Sequence, residues 1–280
     1  MQYILYNKLA NNGNGKVSAD ELKAGLSGES ELVNVCETDV KEWIKGLTAE
    51  DLCIICGGDG TLNRFANDIY GTEVPCDIVL SGAGTGNDFL RDIKEFYDSS
   101  DRPSIKKYIG KLPKVKVNDI ECRFINGIGF GIDGMCCEEA DKMKAAGKQK
   151  INYAGLSVKL MLFKYKCPKA TITIDDKVIE YKKVWLASAM NGRYYGGGMK
   201  CAPDQDRLSD TLTSVIFHDK GKIPTLIAFP GIFKGEHVNK KKLVAIDTGK
   251  KITVKFDRPT ALQIDGETVV GVTEYTAWKE

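Results

Sequence analysis

Two short stretches carry residue types suited to anion chemistry. Residues 57–63 read GGDGTLN and residues 81–88 read SGAGTGND. Each leaves a short apolar run and enters a helix-like pattern. A glycine-rich turn at a helix N-terminus offers N–H groups and the positive end of the helix dipole to an anion. Two such turns, each with glycine, threonine and aspartate, make a phosphate cradle if they share one edge of a sheet. Neither is a P-loop: the nearest Gly-Lys pair, Gly15-Lys16, is followed by Val17 and has Ala10 where that motif needs glycine. Neither is GxGxxG, so a dinucleotide fingerprint is weak.

The elements that must position these turns come next. QYILYN (2–7), VNVCE (33–37), DLCIIC (51–56) and CDIVLSG (76–82) read as strands. Helical patterns lie between them. The first has Ser18 as its N-cap with Glu21 three residues on, the spacing of a capping box. The second, DVKEWIKGL, puts Val40, Trp43, Ile44 and Leu47 on one face. TLNRFANDIY and TGNDFLRDI supply two more. This alternation predicts an open parallel α/β domain over residues 1–114. From residue 115 the texture changes to strands at hairpin spacings with turn residues between them. One helical stretch, roughly 137–166, interrupts them. The expected fold class is therefore α/β plus all-β, with a β-sandwich over 115–280. A return of the extreme C-terminus to the first domain is left open.

Composition removes several functions. The chain has 280 residues, 42% hydrophobic and 28% charged, as in soluble globular proteins. No apolar run is long enough to span a bilayer. MQYILYNK reads as a strand and not a signal peptide, so a cytoplasmic location is expected. The formal net charge of +2 gives no support to nucleic-acid binding. Nine cysteines are scattered mostly among apolar neighbours. Cys53 and Cys56 lie in a strand run, where side chains three apart point to opposite faces, so they read as buried thiols. Only His218 and His237 are present, and nothing places either beside a nucleophile.

GGDGTLN followed by GTGNDFLR resembles the diacylglycerol kinase catalytic family, which includes sphingosine, ceramide and bacterial lipid kinases. Asn7 with the Gly13/Gly15 loop looks like that family's N-terminal Asn-to-Gly turn. NGRYYGGGMKCAPDQDRLSD (191–210) looks like its central segment and IDGE (264–267) like its C-terminal one. The motifs keep the family's order over nearly the whole chain. The resemblance implies an ATP-dependent, Mg2+-using kinase of a lipid hydroxyl. The triphosphate would meet Gly57, Gly58, Gly60 and Thr61, with Asn7, Thr38, Asn63, Thr85, Asn87 and Asp88 as further nucleotide contacts. Asp59 sits in the same turn, where a carboxylate beside phosphates needs a cation, so it suits Mg2+; an Asx-type cap is the alternative. Asp88 could hold metal or cap the helix starting near Phe89. Glu267 would be the general base; the alternative is an exposed residue after an Asp265-Gly266 hairpin turn. Asp206 and Asp210 stand where the family holds a second, structural Mg2+ partly through backbone carbonyls. Leu208-Ser209-Asp210-Thr211 departs from that pattern, with no glycine and a shifted acid.

A lipid kinase needs a membrane-resident substrate. Residues 142–166 contain many lysines and no acid, with Leu156, Leu160, Met161, Leu162 and Phe163 among them. That composition suits a peripheral contact with an anionic bilayer; packing on the sandwich with solvated lysines is the alternative. Tyr194-Tyr195 would line an acyl entrance. Two other functions remain open: an NAD kinase, which shares GGDGT, and a non-catalytic nucleotide- or lipid-binding regulator. Homodimerisation is also open.

Overall fold

The computed structural model describes residues 1–10, 13–83, 87–148 and 150–280. It divides into two compact units, Met1–Leu112 and Pro113–Glu280, so the C-terminus belongs to the second unit.

The first unit is a four-stranded parallel sheet of order β2-β1-β3-β4. Its elements are β1 (Gln2–Tyr6), α1 (Gly15–Ala24), β2 (Ser30–Asn34), α2 (Val40–Trp43), β3 (Leu52–Gly57), α3 (Asp59–Asp68), β4 (Asp77–Gly82), α4 (Asp88–Phe96) and α5 (Lys106–Ile109). β3 is apolar nearly throughout because it lies between β1 and β4 with both faces covered. On one face α1 packs against Ile4, Tyr6, Ile54 and Cys56 through Ala19 and Leu22. Two expectations shift here. β2 ends at Asn34, because residues 35–37 turn away. α1 starts at Gly15 with Asn14 as cap, so Ser18 lies inside the helix. The early start follows from a close approach: a Cβ on Gly15 would sit 2.0 Å from the carbonyl oxygen of Asn7, so only glycine lets the helix begin against the end of β1.

The second unit is antiparallel. In chain order it contains β5 (Lys114–Val117), β6 (Ile120–Arg123), β7 (Gly127–Gly131), α6 (Ile132–Ala145), α7 (Tyr153–Phe163), β8 (Ala170–Ile174), β9 (Lys177–Tyr181), β10 (Val184–Met190), β11 (Leu212–His218), α8 (Lys222–Ala228), β12 (Val244–Gly249), β13 (Lys251–Ile264) and β14 (Glu267–Trp278). The strand order is β12-β11-β10-β7-β13-β14-β5-β6, with the β8-β9 hairpin attached to β13. β13 changes partner along its length: Ile252–Phe256 pair with β8, and Leu262–Ile264 pair with β7. The register breaks between Lys255 and Thr260, around Arg258-Pro259, where proline cannot donate to a ladder. One core fills the inside of this sandwich-like sheet, with Phe130 stacked on Phe256 at 3.9 Å. A second core lies under the helices and uses the other faces of β10 and β11, through Leu186, Met190, Val215 and Phe217. The expected single helical stretch is therefore two helices, α6 and α7, and α8 packs beside α7.

Candidate functional site

In a parallel sheet of order 2-1-3-4 the chain reverses direction across the sheet between β1 and β3. Crevices at such switch points, beyond the carboxyl ends of the strands, are where open α/β sheets bind ligands. Tyr6 pairs with Asn34 on one side and Cys56 on the other, and Gly57 pairs with Gly82. Asn7, Thr38, the GGDGT turn and the start of the second glycine-rich turn therefore share one sheet edge. Thr85, with Gly84 and Gly86, lies outside the described residues.

The side chains explain why these residue types stand there. Asn7 Oδ1 accepts the Leu9 N–H (2.9 Å) and the Cys36 thiol (3.1 Å), tying the end of β1 to the chain leaving β2. Gly57 ends β3 because Thr61 folds back on it: a Cβ there would lie 2.5 Å from Thr61 Oγ1. Thr61 is accordingly buried, whereas Gly60 is exposed. The N–H groups at the start of α3 have no intrahelical acceptor, as at any helix N-terminus. Asn63 is half-buried, and its carbonyl accepts from Asn67 Nδ2 at 2.9 Å.

Asp59 joins the two turns. Its Oδ2 accepts the N–H of Asp88 at 2.8 Å and its Oδ1 the N–H of Phe89 at 3.0 Å. A residue in the first turn of α3 thus caps α4, whose own N-cap residue, Asn87, makes no side-chain cap. Asp88 is buried in that first turn. Asp59 is a cap, then, but of a different helix from its own. A carboxylate fixed between two helix N-termini also has the chemistry to hold a divalent cation, directly or through water, beside bound phosphates.

In the second unit four separated sequence segments meet at residues 125–127. Asp265 (φ 48°) and Gly266 (φ 95°) make a two-residue hairpin turn between Ile264 and Glu267. The Asp265 carboxylate accepts the N–H groups of Ile125 (2.5 Å), Asn126 (2.9 Å) and Gly127 (3.0 Å). Asn191 Nδ2 and Arg207 Nη1 both donate to the Ile125 carbonyl, and Arg207 Nη2 donates to Asn126 Oδ1. The turn is therefore bolted down, and Glu267, the next residue, starts β14 with an exposed side chain. The hairpin alternative for Glu267 describes its backbone, and its carboxylate faces solvent.

Sequence reasoning missed Asp133 and Gln263, and named Asp265 only as a motif and turn residue. Asp133 opens α6 directly after the GFG of β7, an acid at a glycine-rich strand end that could have been singled out. Gln263 Nε2 donates to Asp133 Oδ2 (2.9 Å), while its Oε1 accepts the Gly266 N–H (2.7 Å), linking Asp133 to the DGE turn. Burial holds the Asp133 carboxyl above the usual carboxylate range, against hydrogen bonds from Gln263 and Tyr195 that pull the other way. Tyr194 and Tyr195 are buried, which removes them from an acyl entrance.

The residues at 206–211 do not fit the second metal that the resemblance implies. Asp210 pairs with Lys250 at 2.8 Å on the surface, and Asp206 Oδ1 accepts the Leu208 N–H at 2.9 Å. The carbonyls of Arg207 and Ser209 converge on the buried Lys279 Nζ at 3.0 and 2.7 Å. An ammonium group supplies the positive charge that holds this loop. Among the described residues, no cluster of three or more His, Cys, Asp or Glu is arranged to hold a metal.

The chain matches two family descriptions: a diacylglycerol kinase catalytic domain over residues 2–113 and a YegS C-terminal NAD kinase beta sandwich-like domain over residues 126–276. It is 26% identical over 253 residues to a "Putative lipid kinase" of Staphylococcus aureus strain MSSA476, spanning 85% of this chain and 77% of that one. The strain MW2 protein of the same description matches equally. Two solved structures of a "putative diacylglycerol kinase" from Bacillus anthracis str. Sterne share the fold. Their TM-scores are 0.63 and 0.67 at 19% identity, covering 100% of this chain and 94% and 92% of theirs. With both domain descriptions matched in order across the two units, the chain belongs to the diacylglycerol kinase-like lipid kinase family with a YegS-type C-terminal domain.

Proposed function

We propose that this protein transfers the γ-phosphoryl group of ATP to the hydroxyl of diacylglycerol or a related lipid. The observation that carries this reading is the pair of turns on one sheet edge, GGDGT and the start of α4, joined through the Asp59 carboxylate. The N–H groups of Gly58 and Gly60 and the side chain of Asn7 would meet the phosphates, with Thr38 and Asn87 as further nucleotide contacts. Asp59 would hold Mg2+, which when bound would supply charge neutralisation at the phosphates. Glu267 takes the proton from the lipid hydroxyl as its oxygen bonds to Pγ and the bond from Pγ to the departing ADP oxygen breaks. The Asp265 clasp keeps that carboxylate in a fixed place on a rigid hairpin. No described helix is long and apolar enough to cross a membrane; in this reading the lipid is met by a peripheral contact with the bilayer surface.

The test uses purified protein, Mg2+ and γ-labelled ATP. Mixed micelles contain, separately, diacylglycerol, monoacylglycerol, sphingosine, ceramide or phosphatidylglycerol, and NAD serves as a soluble acceptor. Label in one lipid, lost in Glu267→Ala, is the expected result. Label in NAD instead would make the protein an NAD kinase. ATP binding without transfer to any acceptor would make it a regulator.

A further inference from the structure

Two helices of the second unit turn apolar residues to solvent. α8 is inside-out: Thr225 and Ala228 are buried, while Ile223 and Ile227, one turn apart on the opposite face, are each 70% exposed. α7 is apolar on every side, with Lys159 its one charged residue. Packing uses Leu160 and Met161, which leaves Val158 exposed and Phe163 78% exposed. A surface helix normally shows a polar outer face. The two helices pack side by side, and Lys222 at the start of α8 donates to the Leu162 carbonyl at the end of α7 (2.6 Å). That contact joins the residues that neighbour Ile223 and Phe163 in sequence.

The segments that carry the patch are basic. Residues 142–169 and 220–235 contain eleven lysines (142, 144, 148, 150, 159, 164, 166, 169, 220, 222 and 234) and no aspartate or glutamate. Lys164 is paired with Glu139 at 3.0 Å and Lys142 with Glu138 at 2.7 Å, while Lys159 and Lys166 are exposed. Exposed bulky aliphatic and aromatic side chains ringed by lysine match an anionic lipid surface: the apolar tips enter the acyl boundary and the ammonium groups meet phosphate headgroups.

We propose that the α7–α8 face docks this protein on anionic bilayers, with Phe163, Ile223 and Ile227 as the inserting residues. This rests on the lipid-kinase reading for its purpose, but binding can be measured without turnover. The experiment is co-sedimentation of the full chain with phosphatidylglycerol/phosphatidylcholine vesicles and with pure phosphatidylcholine vesicles, at low and high salt. The wild type should partition into the anionic vesicles and release as salt rises. The triple variant Phe163→Ser/Ile223→Ser/Ile227→Ser should lose roughly tenfold or more in partitioning. Lys159→Glu/Lys166→Glu should lose the preference for phosphatidylglycerol. Unchanged melting of the triple variant, and unchanged transfer to a short-chain diacylglycerol in detergent micelles, would show that only docking was lost. Equal vesicle binding by wild type and triple variant would overturn the proposal. So would a wild-type dimer in solution that the triple variant converts to monomer, since a second copy would then cover the patch. Failed transfer to every lipid in micelles, with vesicle binding intact, would sink the kinase reading and leave the docking face standing.

Discussion

At the residue scale, the most committed side chain is the Asp265 carboxylate with its three backbone donors. Hydrogen bonds to a charged acceptor are the strong kind, and removing the acceptor leaves the donors unsatisfied. Asp265→Ala is expected to cost about 3 kcal/mol, read as a lower denaturant midpoint at unchanged m-value. His237 ties stability to pH. It is buried, its Nε2 donates to the Cys201 carbonyl at 2.8 Å, and burial holds its pKa below the ordinary value. A depressed folded-state pKa means that the unfolded chain takes the proton first. The associated stability is whole above about pH 6.5, the unfolded value, and is lost as pH falls toward the folded value. Melting temperature should drop on acidification from pH 7.5 to 5. His237→Gln, which keeps a donor for the carbonyl but cannot charge, should flatten that slope; an identical slope in both proteins would exclude His237 as its source.

At the element scale, the observed cap and the proposed cation site put different demands on Asp59. As the cap of α4 it uses both carboxylate oxygens, one on each N–H, whereas asparagine keeps one acceptor and turns an amide N–H toward the other donor. As a cation holder it needs charge. Asp59→Asn should therefore lose about 1 kcal/mol of stability while phosphoryl transfer falls by at least about a hundredfold. Asp59→Ala should lose about 1–2 kcal/mol of stability as well. If Asp59→Asn kept activity, the carboxylate would be a cap alone. β13 likewise answers two demands. Its first half serves one layer and its second half another, and Arg258-Pro259 marks the place where the pairing changes.

At the scale of the whole molecule, the cation that holds the 206–211 loop is part of the chain. Lys279 lies at the end of β14, far in sequence from the carbonyls of Arg207 and Ser209 that it joins. Thermal melts of the wild type without nucleotide should be the same in EDTA and in Mg2+. Lys279→Met, which keeps the stem but leaves the two carbonyls without their ammonium, should lose about 1–3 kcal/mol. A Mg2+-dependent rise in the wild-type melting temperature, lost on Asp210→Ala, would instead place a metal at this loop.

The sequence by itself determined the things that local chemistry dictates. Four strands and their helices in the first unit follow from apolar runs alternating with 3.6-residue patterns, and both glycine-rich turns fall at strand ends as their composition required. The hairpin at Asp265-Gly266 was legible for the same reason, as was the family through GGDGT, GTGND and DGE. Tertiary structure alone decided the rest. Asp59 caps a helix 29 residues away, Asp265 clasps a loop about 140 residues earlier, and Lys279 joins two carbonyls 72 and 70 residues earlier. Side chains that bond over such separations leave no periodic trace, because their partners are fixed by how strands are ordered in the sheet and not by spacing along the chain. Even the inside-out face of α8 looks in sequence like a buried helix, and only its position on the outside of the unit makes Ile223 and Ile227 a surface.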